Sequence, residues 1–196
     1  MLKEKLKNYR IILASGSPRR QQFLKDLDCN FIIDQRPVLE EYPGDLTGAG
    51  ITDYLAQLKA EVFLPDLTSN DILITSDTIV WHIGGALGKP SSLDEAYKML
   101  ESLSGNTHEV ITSVTFTTRG HQETVNCTTS VTFKDLSKEE IEYYVQNFHP
   151  LDKAGAYGIQ EWIGMVGITR VEGSYFNVVG LPTHLVYETL LKIVSI

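Results

Sequence analysis

Cysteine is scarce and no long apolar run occurs. Only Cys29 and Cys127 are present among 196 residues. They form no CxxC pair and lie at no metal-ligand spacing with histidine, which argues against a disulfide framework or a zinc ribbon; both read as buried structural thiols. The apolar stretch 11–14, behind the charged start MLKEKLKNYR, is too short for a signal-peptide core or a membrane span. A cytoplasmic protein with no membrane contact is expected. Basic residues are outnumbered, 17 Lys+Arg against 25 Asp+Glu, for a net charge of −8. With no basic stripe, a nucleic-acid binder is disfavoured, although a few converging cations could still hold a small anion. Also missing are G-x-x-x-x-G-K-[ST], G-x-G-x-x-G after a strand, G-x-S-x-G and H-E-x-x-H. The five histidines, at 82, 108, 121, 149 and 184, do not cluster and read as surface or packing residues.

What is present is ordinary globular composition, 42% hydrophobic and 21% charged, without a repeat or a linker. One domain over 1–196 is expected. Periodicity predicts alternating strands and helices. YRIILAS and NFIID read as strands around a helix over 18–27. RPVLEEYPGDLTGAG reads as a long functional loop, and 51–63 as an amphipathic helix with Lys59 beside its apolar face. DILIT is a short strand, and TIVWHIGGALGKP a hairpin turning at Gly84–Gly85. Capping boxes at Ser92/Glu95 and Ser137/Glu140 open two further helices, with long strands over 107–118 and 122–133 between them. Two more short strands and a helix after Pro182 complete a mixed α/β domain.

Four stretches carry chemistry-bearing residues at strand ends or in loops. In SGSPRR, Ser17 reads as an N-cap and Pro18 as the first helical residue, which sets Arg19 and Arg20 beside the positive end of the helix dipole. That placement costs stability unless an anion binds there. In TSDTIV, Asp77 is either a turn or edge residue or a carboxylate held on a strand end, able to bind a hard cation or activate water. LGKP holds Lys89 in an extended direction. LDKAGAYGIQ puts Asp152, Lys153 and Gln160 in a small-residue loop that allows close approach to a ligand. Arg19, Arg20, Lys59, Lys89 and Lys153, with the carboxylates Glu40, Asp77 and Asp152, form a kit for a metal-assisted reaction at a phosphate.

SGSPRR, SDT, LGKP, LSGNTHEVIT, LDKAGAYGIQ and EGSYFNVVGLP together resemble, in order and spacing, the Maf family of nucleoside triphosphate pyrophosphatases. The resemblance runs from about residue 11 to residue 190. It implies a Maf/ITPase-like α/β fold, an elongated mixed sheet flanked by helices with a cleft between two lobes. It also implies hydrolysis of a nucleoside triphosphate to monophosphate and pyrophosphate with a divalent cation, Mg²⁺ or Mn²⁺. The form LDKAGAYGIQ looks like the branch acting on dTTP and UTP, and on modified pyrimidine nucleotides. On the family pattern, Asp77 matches the proton acceptor, with Glu40 as a second carboxylate for the metal. Arg19, Thr78 and Gln160 match positions of substrate choice. Ser15, Ser17, Arg20, Lys59, Lys89 and Lys153 match polar residues lining the cleft. A homodimer is a further implication. Leu58 departs from the family, which often has Glu directly before the helix lysine, and Thr75-Ser76 replaces its Gly-Ala. The alternative reading is a non-catalytic nucleotide-binding regulator of septum formation.

Overall fold

Residues 1–195 are described by a computed structural model. The first strand, β1 (Arg10–Leu13), follows a short helix, α1 (Leu2–Leu6), and is succeeded by α2 (Pro18–Asp26) and β2 (Phe31–Ile33). After a long irregular stretch come α3 (Ala49–Glu61), a 3-10 turn at Leu64–Asp66, β3 (Asp71–His82), β4 (Gly85–Leu87) and α4 (Leu93–Leu103). The chain then runs through β5 (Thr107–Thr117), β6 (Gln122–Phe133), α5 (Lys138–Phe148) and a 3-10 turn at Ala154–Ala156. It ends with α6 (Trp162–Gly167), β7 (Ile168–Glu172), α7 (Tyr175–Val179) and α8 (Thr183–Ile193). The strands form a seven-stranded mixed sheet in the order β2-β1-β3-β5-β6-β7, with β4 on β3. β1 is parallel to both β2 and β3, whereas β3–β4 and β6–β7 are antiparallel. The mixed α/β class expected from periodicity is the class observed.

Most elements fall where local signals put them; helices α1 and α6 were not expected, and four other points differ. DILIT is only the first half of β3, so Asp77 lies inside a twelve-residue strand and not at its end. The hairpin turns at Ile83–Gly84, with φ of 48° and 74°, and His82 pairs with Gly85. His82 is buried and its Nε2 lies 2.9 Å from the Ser102 carbonyl, which keeps residue 82 in the strand and leaves exposed Ile83 at a left-handed tip. At α4, Ser92 does cap the backbone of Glu95, but the Glu95 carboxylate turns to Ser91 N and Oγ, so no reciprocal box closes. The capping box at Ser137 and Glu140 is complete. Of the two short strands expected before the last helix, only β7 forms. The segment at α7 is helical because buried Asn177 donates to Val110 O and Thr129 Oγ1, a tertiary demand that periodicity cannot show.

The chain divides into two compact units. One holds Met1–Asp77, Thr112–Cys127 and the residues from Gly180 on; the other holds Thr78–Ile111 and Thr128–Val179. In the first, Ile12, Ala60, Phe63 and Leu73 pack together between β1, β3 and the end of α3. In the second, Leu100, Phe133, Tyr144 and Tyr157 anchor a larger core, each such side chain worth about 1.5–3 kcal/mol when fully buried. Cys29 is buried as expected, Cys127 is only half-buried on the more exposed strand β6, and neither is in a disulfide among the described residues.

Two buried groups make stability depend on pH with the same sign. Burial, reinforced by His82, lowers His108 from its ordinary 6.5 to about 4. Its ring lies against Phe133 and Tyr157. The Arg10 guanidinium, hydrogen-bonded through Nε and Nη2 at 2.7 Å, holds Asp71 at about 2 instead of 3.8. In both cases the unfolded chain takes up the proton at a higher pH than the folded one. Stability is therefore full above about pH 6.5, falls towards pH 4 through His108, and falls again from about 4 to 2 through Asp71. Calorimetric melting at stepped pH checks this: His108→Gln should flatten the upper fall and Asp71→Asn the lower. Curves parallel to the parent's would overturn the assignment.

Candidate active site

In the first unit the site grows from the turn between β1 and α2. Ser17 takes an extended conformation at the N-cap, Pro18 supplies the first helical residue, and Ser17 Oγ accepts from Arg20 N at 3.4 Å. Ser15, buried, accepts from Ser17 N through Oγ at 3.2 Å and from Gln21 Nε2 through its carbonyl at 3.3 Å, so the turn is held from within. No acid occupies the first turn. Arg20 folds back from the helix. Its Nε donates to Gly180 O and its Nη1 to Ser76 O, both at 2.9 Å, which ties α2 to the backbone beside Asp77. Burial lowers the Arg20 pKa; Asp77 and Glu40 oppose that shift, and Arg19 adds to it. Arg20 thus fixes the backbone on which Asp77 stands.

Lys59, in the last turn of α3, is clamped between two carboxylates. Its Nζ lies 2.7 Å from Asp77 Oδ1 and 3.1 Å from Glu40 Oε2, the latter reaching in from the long irregular stretch. This explains how β3 tolerates an acid in its interior: Asp77 is buried, but paired with an ammonium that is itself mostly covered. Of the departure at Thr75-Ser76, Thr75 is accommodated, its Oγ1 donating to Ala56 O of α3 at 2.6 Å, whereas the buried Ser76 Oγ has no hydrogen-bond partner among the described residues. Ser15, Ser17, Arg20, Glu40, Lys59 and Asp77 are therefore assembled in one unit, and Arg19 stands next to Arg20 in the same turn.

The second unit carries Thr78, Lys89, Lys153 and Gln160. Lys153 is buried, with Nζ 2.7 Å from Asp152 Oδ1 and 3.0 Å from Glu161 Oε1. Thr78 is half-buried on β3, while Lys89 and Gln160 are exposed and neither is bonded to the Lys153 cluster. Glu161 and Tyr144 belong to that cluster and were not singled out in the sequence. The Tyr144 hydroxyl donates to Glu161 Oε2 and accepts from Gly158 N at 3.0 Å. The available signals were weak: Glu161 directly follows Gln160, and Tyr144 falls on the buried face of α5 with Ile141 and Val145.

Among the described residues no three His, Cys, Asp or Glu side chains gather as metal ligands. Glu40 and Asp77 bring two hard oxygen donors to the same ammonium in the first unit. Such a pair suits Mg²⁺, which takes one or two carboxylates and completes its shell with water and phosphate oxygens.

The model of the family described as "Maf-like protein" matches residues 10–193. The chain belongs to the Maf family. A dTTP/UTP pyrophosphatase of Christiangramia forsetii is 60% identical, with 100% of each chain covered. One of Flavobacterium johnsoniae is 59% identical, covering 99% of this chain and 100% of its own. One of Phocaeicola vulgatus is 47% identical over 97% and 99%. Among solved structures, the Staphylococcus aureus Ham1 protein is 18% identical, with a TM-score of 0.47 over 64% of this chain and 72% of that one. No helix among the described residues is long and apolar enough to cross a membrane.

Proposed function

We propose that this Maf protein, acting as one domain over 1–196, hydrolyses dTTP and UTP, and modified pyrimidine nucleotides of the same form, to the monophosphate and pyrophosphate. The observation that carries the reading is the clamp of Lys59 between buried Asp77 and exposed Glu40. The names of relatives at up to 60% identity over the full length support it.

Asp77 orients a water and takes its proton as the oxygen attacks the α-phosphorus. The bond from that phosphorus to the bridging oxygen breaks, and pyrophosphate leaves with the electron pair. Lys59, fixed by its two carboxylates, points Asp77. Arg19, Arg20 and Lys89, with Lys59, meet the charge that develops on the phosphates. Ser15, Ser17 and Lys153 contribute further donors to them. Thr78 and Gln160 read the base, a task for which an amide suits because it donates and accepts at once. Asp77 and Glu40 would hold a divalent cation, Mg²⁺ or Mn²⁺, which when bound neutralises phosphate charge and polarises the phosphorus.

Incubation with Mg²⁺ and a panel of nucleoside triphosphates tests the reading. Pyrophosphate plus monophosphate is expected, fastest from dTTP and UTP. Release of orthophosphate and a diphosphate, or tight binding without turnover, would overturn it.

A further inference from the structure

Lys153 is held by two carboxylates of unequal standing. Asp152, its chain neighbour, has a side chain 63% exposed, so its attraction is screened by water. Glu161 is 26% exposed and is itself fixed. Its second oxygen accepts from the hydroxyl of Tyr144, a fully buried ring of α5. The same hydroxyl takes the Gly158 N–H at 3.0 Å, so one phenol pins the chain on both sides of Gln160. Burial first, and the Glu161 hydrogen bond next, raise the Tyr144 pKa, which keeps the phenol a donor at every working pH. Gly158 leaves room for the pair. A Cβ there would stand 2.9 Å from Glu161 Cδ and 3.0 Å from Lys153 Cε.

We propose that Glu161, backed by Tyr144, is a positioning residue that aims the Lys153 ammonium at the nucleotide and holds the backbone carrying Gln160. The inference rests on the reading of Lys153 as a phosphate contact. A phosphate oxygen displaces the exposed Asp152 from Lys153 and leaves Glu161 in place. Glu161 therefore sets where the ammonium sits in both the empty and the filled site, and Asp152 is its exchangeable partner.

A mutant cycle on dTTP hydrolysis tests this. Glu161→Gln keeps the acceptor for Tyr144 and removes the charge on Lys153; KM should rise about fivefold with kcat within about twofold, the scale of a partly exposed ion pair. In a Lys153→Met background the same change should leave KM where it is, because nothing remains to be aimed. Gly158→Ala, whose added carbon meets only side-chain ends, should reproduce the KM effect with little loss of melting temperature and so guards against a folding artefact. If Lys153→Met alone leaves KM unchanged, Lys153 is no phosphate contact, and the inference falls with that assignment. If Lys153→Met raises KM but Glu161→Gln does not, or acts equally in both backgrounds, the inference falls alone.

Discussion

Asp77→Asn should fold and hydrolyse dTTP about 10²–10⁴-fold more slowly than the parent chain, the range for removing a general base. Asparagine has the shape of aspartate and can still accept from Lys59 Nζ, now 2.7 Å from Oδ1, so the clamp survives as a hydrogen bond to a neutral group. What is lost is proton-accepting power and one negative charge on a lysine that retains Glu40 at 3.1 Å. Because Lys59 keeps that partner, stability should fall by only about 1–2 kcal/mol, less than for an ammonium stranded without any anion. Pyrophosphate release measured alongside calorimetric melting separates the two effects. Turnover within tenfold of the parent's would mean that Asp77 is not the base.

The second large effect is expected at Gly164, in α6. A Cβ on that residue would lie 2.0 Å from the carbonyl oxygen of Ile159, 2.6 Å from its carbon and 2.8 Å from its Cα. These are backbone atoms of the segment leading into Gln160, so no side-chain rotation relieves the clash. Either α6 lifts from the segment or the Ile159–Gln160 peptide moves. Overpacking that side chains can absorb costs typically 1–3 kcal/mol; a backbone clash belongs at the top of that range, about 3 kcal/mol. Gly164→Ala should therefore lower the melting temperature clearly and raise KM for dTTP and UTP, since the peptide that must move carries Gln160. Parental melting temperature and KM together would show that the segment yields freely. Gly158→Ala is the internal contrast, a glycine six residues earlier whose added carbon meets side-chain atoms of Glu161 and Lys153 and no backbone.

Legibility of the fold followed the range of the interactions. Helices α2, α4 and α5 announced themselves because Ser17, Ser92 and Ser137 act on N–H groups three residues away, a distance that spacing encodes. The interior of β3 was not legible. An acid between two apolar runs reads as a break, and only Lys59, eighteen residues upstream, makes Asp77 tolerable there. Trp162–Gly167 and Tyr175–Val179 are too short to show a helical period, and the latter depends on contacts of Asn177 with strands 48 and 67 residues away. The candidate site divides in the same way. Its residue types and order carried the family resemblance, now matched over 10–193. Their pairing did not show: no spacing reveals that Arg20 gives its Nε and Nη1 to the Gly180 and Ser76 carbonyls, or that Glu161 shares a phenol with Gly158.

Two lysines each rest between two carboxylates, Lys59 between Glu40 and Asp77, Lys153 between Asp152 and Glu161. Each trio carries a net charge of −1, so the resting protein is an ion exchanger loaded with its own counterions. A lone orthophosphate or sulfate meets a negative trio and gains little by displacing a carboxylate from its ammonium. On the proposed function, a triphosphate accompanied by a divalent cation would suit the first trio on both counts, its oxygens facing Lys59 and its cation facing Glu40 and Asp77. On that reading, selection against small anions would come from charge already in place, before any part of the base is read.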